Sequence, residues 1–121
     1  MSNLALVVDD EPGVRAIACR YLKAAGLVCL PASCGEELMS MLDDGYIPDL
    51  VLLDIQLPDV IGTKLARQVH VRYPDIPVLL MSAWPATELS DEELGDIRWR
   101  YLQKPFAQEA LSQAAWDLLA R

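Results

Sequence analysis

DLVLLD, the stretch at residues 49–54, is apolar from Leu50 to Leu53 and ends in Asp54. A similar run, LALVV at residues 4–8, is followed directly by the acidic pair Asp9 and Asp10. Short runs rich in Val and Leu are typical of buried parallel strands, whose carboxyl ends meet at one rim of an open α/β sheet. Three carboxylates are therefore expected at one edge, where they repel each other. Such a cluster favours a divalent cation with hard oxygen ligands, Mg²⁺ or Ca²⁺.

Apolar runs alternate with amphipathic helical patterns about five times along the chain. This alternation predicts an α/β fold with a five-stranded parallel sheet covered by helices on both faces. Pro31 lacks a backbone donor and favours an edge position for the second strand, which gives the flavodoxin-like, doubly wound (βα)5 order 2-1-3-4-5. The strands are predicted over 4–9, 27–31, 49–54, 77–82 and 98–103, and the clearer helices over 13–25, 34–44, 62–73 and 106–120.

The sequence patterns that predict where each helix begins are clear for some helices and weak for others. Ser33 and Glu36 have the spacing of a capping box, which predicts the beginning of the second helix. The stretch 84–97 offers two candidate starts, Thr87 and Ser90, and few apolar residues to bury, so a short or poorly anchored helix is expected there. The first helix is expected to bury the face formed by Val14, Ile17, Ala18, Tyr21, Leu22 and Ala25.

Length and composition exclude several classes of protein. The chain has 121 residues, which is enough for one domain with a core but leaves no room for a second. A net charge of −8 argues against direct nucleic-acid binding, which requires a basic surface. No apolar run approaches the length of a membrane span, and the N-terminus lacks the pattern of a secretory signal.

The three cysteines, Cys19, Cys29 and Cys34, are odd in number and lack the CxxC spacing. They are interpreted as reduced thiols of a cytosolic protein. A zinc site is the competing interpretation, to which the single histidine, His70, adds little.

Four motifs in chain order give the sequence a specific resemblance to the receiver domain of two-component response regulators. They are the acidic pair Asp9-Asp10, the segment DIQLPDVIG from Asp54 to Gly62, the pair Ser82-Ala83 after the fourth apolar run, and YLQKPF at 101–106. Each motif alone is weak, but all four stand at predicted strand ends. The resemblance covers the whole chain and implies that residues 1–121 form one receiver domain of the chemotaxis-regulator type.

The resemblance implies a phosphoacceptor and a Mg²⁺ site. Asp54 would accept the phosphoryl group, since a carboxylate can attack phosphorus to form an acyl phosphate. Asp10 would bind the metal directly and Asp9 through water or a side-chain contact. Asp54 and the backbone carbonyl of Gln56 would complete the protein ligands, and Mg²⁺ would be the only cofactor.

The remaining motif residues take roles around the phosphoryl group. Lys104 would neutralise a phosphoryl oxygen as a point charge, and the hydroxyl of Ser82 would donate to another. Tyr101 matches the aromatic residue that swings inward when a receiver is activated, so Ser82 and Tyr101 would form the switch.

Three further motif residues are expected to shape loops. Pro58 and Gly62 belong to the loop after Asp54, and Gly62 would begin the third helix close to the sheet. Pro105 would follow a cis peptide bond, as the family suggests.

The expected activity is that of a switch rather than of an enzyme with a separate substrate: the protein would catalyse only its own phosphotransfer and autodephosphorylation. The donor would be a phosphohistidine on a sensor histidine kinase or a histidine phosphotransfer protein in the bacterial cytoplasm. No nucleic-acid or membrane contact is expected, and a homodimer would use the 84–121 face. The chain would be either a stand-alone regulator or a receiver from a larger regulator or hybrid kinase, with a preference against an internal hybrid-kinase fragment because it starts with Met1.

Three alternatives remain at this stage. A haloacid-dehalogenase-like phosphatase also uses an aspartyl nucleophile, but its second acid would stand at Gln56. A flavodoxin-like cofactor binder would need a phosphate-cradling loop where this chain has the acidic DDEPG after the first strand. A degenerate receiver that only docks partners is the third.

Departures from the family pattern also carry expectations. Trp84, two positions after Ser82, is bulkier than the usual residue and predicts slow autodephosphorylation. The stretch 98–100, Arg-Trp-Arg, replaces the Gly-Ala pair that often precedes the fifth strand. Trp116 falls off the inward face of the last helix, where it would either contact a partner or lie over aliphatic neighbours.

Overall fold

The computed structural model of the protein describes residues 3–85, 89 and 91–120 (for 91 and 92, the backbone only). Its five strands form one parallel sheet in the order β2-β1-β3-β4-β5, which confirms the predicted topology. The strands are β1 Leu4–Val8, β2 Val28–Ala32, β3 Leu50–Asp54, β4 Val78–Ser82 and β5 Trp99–Gln103. The helices are α1 Pro12–Ala24, α2 Gly35–Asp43, α3 Gly62–Arg72, α4 Asp91–Leu94 and α5 Gln108–Leu119.

The sheet separates two apolar layers. Alternate residues of each strand point to opposite faces, so Leu6 and Leu53 pack with α2 and α3, whereas Val7 and Leu52 pack with α1 and α5. Every residue of β3 and β4 is buried, as expected for central strands of a parallel sheet. β2 lies at the edge, and Pro31 is exposed there, as predicted.

The helix ends follow local chemistry with shifts of one or two residues. α1 begins at Pro12, and Gly26 follows its C-terminus with φ of 96°, a conformation that favours glycine. Ala18 and Leu22 are buried as predicted, but the prediction for Ile17 is wrong, since its side chain is 44% exposed. Ile17 instead lines an open groove between α1 and Phe106.

The uncertain fourth helix is a single turn, as the weak pattern predicted. Leu94 and Ile97 are buried, and Leu89 packs partly against the same layer. The candidate starts Thr87 and Ser90 lie outside the described residues.

The predicted capping box of α2 is wrong. Cys34 is the N-cap residue and makes no side-chain cap, while the hydroxyl of Ser33 donates to Glu37 over 2.9 Å instead of to the helix. The first N–H groups of α2 donate to Asp59, a residue of the β3–α3 connection. A cap from a distant segment leaves no local pattern in the sequence, so the spacing of Ser33 and Glu36 was misleading.

The prediction of three free thiols is also wrong, because Cys19 and Cys29 are joined by a disulfide. The turn at Gly26 folds α1 back beside β2 and brings the two Cα atoms to 5.5 Å, an ordinary separation for a disulfide. Cys34 is the free cysteine of the described chain. The competing zinc site therefore loses two of its three thiol ligands.

Two unusual features of the 84–121 face are engaged within the chain. The indole N–H of Trp116 donates to the Ala25 carbonyl over 3.1 Å, which ties α5 to the end of α1. Arg98 donates to the carbonyls of Leu118 and Asp75 over 2.8 and 3.0 Å. Arg98 therefore connects the end of α5 to the segment between α3 and β4. In the described part of the chain, no helix has the length and apolar character of a bilayer-spanning segment.

Candidate phosphoacceptor site

The three acidic residues meet at the carboxyl rim of the sheet, as predicted. β1 and β3 are neighbours, so Asp9 and Asp10 after β1 lie beside Asp54, the last residue of β3. One carboxylate oxygen from each residue lies within 4.8 Å of the others. Asp9 is fully buried, Asp54 is 5% exposed, and Asp10 is exposed to solvent.

Backbone donors orient the two buried carboxylates. The Glu11 N–H donates to Oδ1 of Asp9 over 2.8 Å, and the Gln56 N–H donates to Oδ1 of Asp54 over 2.9 Å. Each carboxylate therefore has one oxygen held by the loop that follows its strand. The other oxygen of each turns towards a shared centre.

Lys104 occupies that centre. Its Nζ donates to Oδ2 of Asp9 over 2.7 Å and to Oδ2 of Asp54 over 2.9 Å. The Lys104-Pro105 peptide bond is cis, as the resemblance implied, and the Lys104 N–H donates to the Ser82 carbonyl over 2.8 Å. Burial alone would lower the pKa of Lys104, but its hydrogen bonds to the two carboxylates outweigh burial and raise it above its ordinary value.

The pKa of Asp54 lies above its ordinary value, mainly because burial disfavours the charged form. The hydrogen bonds from Lys104 and the Gln56 N–H oppose this effect, and the charge of Asp9 adds to it. A divalent cation would favour the ionised carboxylate that nucleophilic attack requires.

The donor set fits Mg²⁺. Its protein ligands would be hard oxygens from Asp9, Asp10 and Asp54, with the Gln56 carbonyl on the loop beside them. The single ammonium of Lys104 contacts two of the three carboxylates and cannot balance all three. The exposure of Asp10 leaves one side of the cluster open to solvent, which suits an ion that keeps several waters.

Ser82 and Tyr101 adjoin the cluster from β4 and β5. Ser82 ends the strand beside β3 and is 4% exposed, and its Oγ accepts the Trp84 N–H over 3.1 Å. The Tyr101 hydroxyl donates to the Ser82 carbonyl over 3.3 Å. The predicted switch pair is therefore in direct contact.

The loop after Asp54 is closed at its base by close backbone contacts. Gln56 and Ile61 form an antiparallel bridge, and the Gly62 N–H donates to the Ile55 carbonyl over 2.6 Å. A Cβ at Gly62 would lie 2.7 Å from the Ile55 Cα, so only glycine fits there. Pro58 is exposed at the loop tip.

Two site neighbours were missed in the sequence. Arg15 donates from Nη1 to the Asp9 carbonyl over 2.6 Å, and its position one turn into a helix that follows an acidic pair was the available signal. Thr63, which is buried at the start of α3, donates to Glu93 over 2.8 Å. Contacts between residues 30 positions apart, such as Thr63 with Glu93, leave no periodic pattern.

Two hollows flank the acidic cluster. An open groove of about 440 Å³ beside Lys104 is lined mainly by apolar groups of Val14, Ile17, Tyr21 and Phe106. On the other side, a cavity of about 180 Å³ is lined by Gln56, Thr63, Ser82 and Trp84 among others.

Comparison with known proteins gives a consistent result. The family model described as the response regulator receiver domain matches residues 5–115. The DNA-binding transcriptional regulator NtrC of Klebsiella pneumoniae is 33% identical over 104 residues, covering 86% of this chain and 22% of that protein. Sensor kinase CckA of Brucella abortus is 26% identical over 121 residues, covering 99% of this chain and 13% of the kinase. The chain thus spans about a fifth or less of these relatives.

Among solved structures, the response regulator protein TrrA of Thermotoga maritima in complex with Mg²⁺-BeF matches with a TM-score of 0.84 and 30% identity, covering 97% of this chain and 99% of that one. The phosphatase and flavodoxin-like alternatives are therefore set aside. Because the family model spans nearly the whole chain, the protein belongs to the response regulator receiver domain family of two-component signalling.

Proposed function

We propose that Asp54 accepts a phosphoryl group from a phosphohistidine and that Lys104 and Ser82 receive its oxygens. The observation that carries this proposal is that the Lys104 ammonium lies between the carboxylates of Asp9 and Asp54. Asp10, on the same rim of the sheet, is exposed to solvent. Receiver domains serve as phosphoacceptors, and the assignment of individual residues in this chain is the proposal.

In the transfer step, a carboxylate oxygen of Asp54 attacks the phosphorus in line. An O–P bond forms while the N–P bond to the donor histidine breaks, and its electron pair returns to the imidazole. Lys104 moves from the Asp54 carboxylate to a phosphoryl oxygen, and the Ser82 hydroxyl donates to another. Bound Mg²⁺, held by Asp9, Asp10, Asp54 and the Gln56 carbonyl, would supply charge neutralisation for the phosphoryl oxygens.

The phosphoryl group adds roughly two negative charges and three acceptor oxygens. The Ser82 Oγ accepts the Trp84 N–H and the Ser82 carbonyl accepts the Tyr101 hydroxyl, so a movement of Ser82 towards the phosphoryl group would alter both contacts. We propose that these changes shift Tyr101 and the 82–101 segment between two packings. Attack by water on the acyl phosphate releases inorganic phosphate and restores Asp54. No activity on a separate substrate is proposed.

The apolar groove beside Lys104 is proposed as the place where the donor binds. The apolar side chain of Ile17 is 44% exposed in this groove. Lys104 also lines the groove, and its Nζ donates to Oδ2 of Asp54. A sensor histidine kinase or a histidine phosphotransfer protein would bury this surface while presenting its phosphohistidine.

The wider context is proposed from the family alone. We propose a cytoplasmic location, a homodimer through the 84–121 face, and one receiver domain over residues 1–121. The bonded pair Cys19 and Cys29 removes the free-thiol argument for the cytoplasm, so that location rests on the phosphodonor.

The direct test incubates the protein with Mg²⁺ and acetyl phosphate and measures intact mass. A gain of one phosphoryl group is expected, and it should be absent in Asp54→Asn and without Mg²⁺. Asp49→Asn, an exposed aspartate at the opposite rim of the sheet, is the matched control and should be phosphorylated normally. An undiminished mass gain in Asp54→Asn would refute Asp54 as acceptor, and no gain in the wild type would favour the docking-only receiver.

A further inference from the structure

The β3–α3 loop carries the Gln56 carbonyl, and backbone hydrogen bonds close its base. The bridge between Gln56 and Ile61 and the contact of the Gly62 N–H with the Ile55 carbonyl close the loop at one end. The peptide unit of the Gln56 carbonyl continues into residues 57–60, which lie outside this closed base, so contacts that hold those residues also bear on the orientation of the carbonyl.

Asp59 fixes that other end to α2. Its Oδ1 accepts the Gly35 N–H over 3.0 Å, and its Oδ2 accepts the Glu36 N–H over 2.9 Å. Since Cys34 supplies no cap, the carboxylate of Asp59 satisfies two donors of the first turn that would otherwise lack a protein partner.

Close packing at Gly35 is independent evidence for the same docking. A Cβ at Gly35 would lie 2.5 Å from Cγ1 of Val60, the residue after Asp59. The Val60 side chain thus lies so close to the α2 backbone that a Cβ at position 35 would displace it. Hydrogen bonding and shape together hold the loop tip against the helix.

The segment that begins α2 and binds Asp59 also contacts the loop that carries Asp9 and Asp10. The Asp9 N–H donates to the carbonyl of Ala32, the last residue of β2, over 3.1 Å. The segment 32–36 therefore contacts the loop with Asp9 and Asp10 on one side and the loop with Gln56 on the other. This connection links two groups of proposed metal ligands outside the site itself.

We propose that Asp59 is a positioning residue for the cation site: by capping α2 it holds the loop of the Gln56 carbonyl in register with the Asp9-Asp10 loop. Asp59 does not itself contact the ion and acts through the backbone. The proposal rests on the proposed Mg²⁺ site.

The test is a Mg²⁺ titration of the unphosphorylated protein followed by the amide NMR signals of Asp10 and Gln56. Asp59→Ala should raise the Mg²⁺ dissociation constant about tenfold, the lower end of the effect seen when outer partners of metal ligands are removed. Asp59→Asn keeps one acceptor oxygen and should fall between Asp59→Ala and the wild type.

Asp49→Ala is the matched control for a general loss of stability. Asp49 is also an exposed aspartate that accepts a backbone N–H of another element, from Leu4 over 2.7 Å, but at the far rim. Its removal should leave the Mg²⁺ dissociation constant unchanged. If Asp59→Ala does not fold, Gly35→Ala displaces the loop through Val60 with Asp59 intact and should weaken binding in the same direction.

The outcomes separate the inference from the proposed function. Wild-type binding with an unchanged dissociation constant in Asp59→Ala, or an equal weakening in Asp49→Ala, overturns the positioning role alone. If the amide signals of Asp10 and Gln56 in the wild type do not change when Mg²⁺ is added, both the cation site and the positioning role are overturned.

Discussion

The ammonium nitrogen of Lys104 lies 2.7 Å from Oδ2 of Asp9, a carboxylate with no exposed surface. The two residues are 95 positions apart, and the cis bond to Pro105 follows Lys104 directly. The same ammonium contacts Asp54, so two buried carboxylates share one positive charge. Removing this cation leaves a buried charge without its partner.

Lys104→Met should therefore destabilise the protein more without Mg²⁺ than with it. Loss of one partner of a buried pair costs about 3 kcal/mol, which should appear in the free energy of unfolding from urea titrations in metal-free buffer. Added Mg²⁺ should recover much of the loss because it supplies the missing positive charge. Lys64→Met, at an exposed lysine of α3, is the control and should change little. If Mg²⁺ does not reduce the loss of stability in Lys104→Met, the ion does not replace the positive charge of Lys104.

Trp84 should prolong the life of the phosphorylated state. Its side chain is 58% exposed and lines the cavity that Ser82 and Gln56 also line, so we expect it to hinder water near the phosphoryl group. Trp84→Ala should shorten the phosphoryl half-life by about tenfold at most, which corresponds to about 1.4 kcal/mol in the barrier. The measurement is the decay of phosphoprotein after the phosphodonor is removed. Trp116→Ala, remote from the site, should leave the decay unchanged, and a longer half-life in Trp84→Ala would exclude the shielding role.

The sequence predicted the sheet order and the acidic cluster because both follow from short-range patterns. Apolar runs such as 49–54 identify buried strands, and parallel strands deliver Asp9 and Asp54 to one rim without any knowledge of packing. The cap by Asp59 and the contact of Arg15 with Asp9 depend on how loops meet in space, and no periodicity encodes them. The pair Cys19 and Cys29 was missed for the same reason, since its closeness follows from α1 folding back on β2.

The cap by Asp59 should make stability depend on pH in the acid range. Hydrogen bonds from the Gly35 and Glu36 N–H groups lower the pKa of Asp59 in the folded protein, so the unfolded chain takes up a proton first as pH falls. The stabilisation by the carboxylate is therefore fully present above the unfolded pKa of about 4 and is lost as pH falls through the lower folded pKa.

Asp59→Asn should accordingly be less stable than the wild type near pH 7, but by less than the roughly 1 kcal/mol that complete loss of a helix cap costs, because Asn keeps one acceptor oxygen. The difference should shrink as urea titrations are repeated towards pH 3. Asp44→Asn, at an exposed aspartate at the C-terminal end of α2, should show no such loss at pH 7. If the difference in the free energy of unfolding between the wild type and Asp59→Asn stays constant from pH 7 to pH 3, the charge of Asp59 contributes nothing to stability.

The bonded pair Cys19 and Cys29 should be visible by thiol labelling. Unfolded, unreduced protein should take up one alkylating group, at Cys34, and reduced protein should take up three. The bridge closes a short loop between α1 and β2, so its removal should cost roughly 2–3 kcal/mol in the free energy of unfolding, through the larger freedom of the unfolded chain. Urea titrations with and without a reductant measure this cost, and Cys34→Ser should retain the reductant effect whereas Cys19→Ser should abolish it. Three labels on the unreduced protein would show that the purified chain carries free thiols.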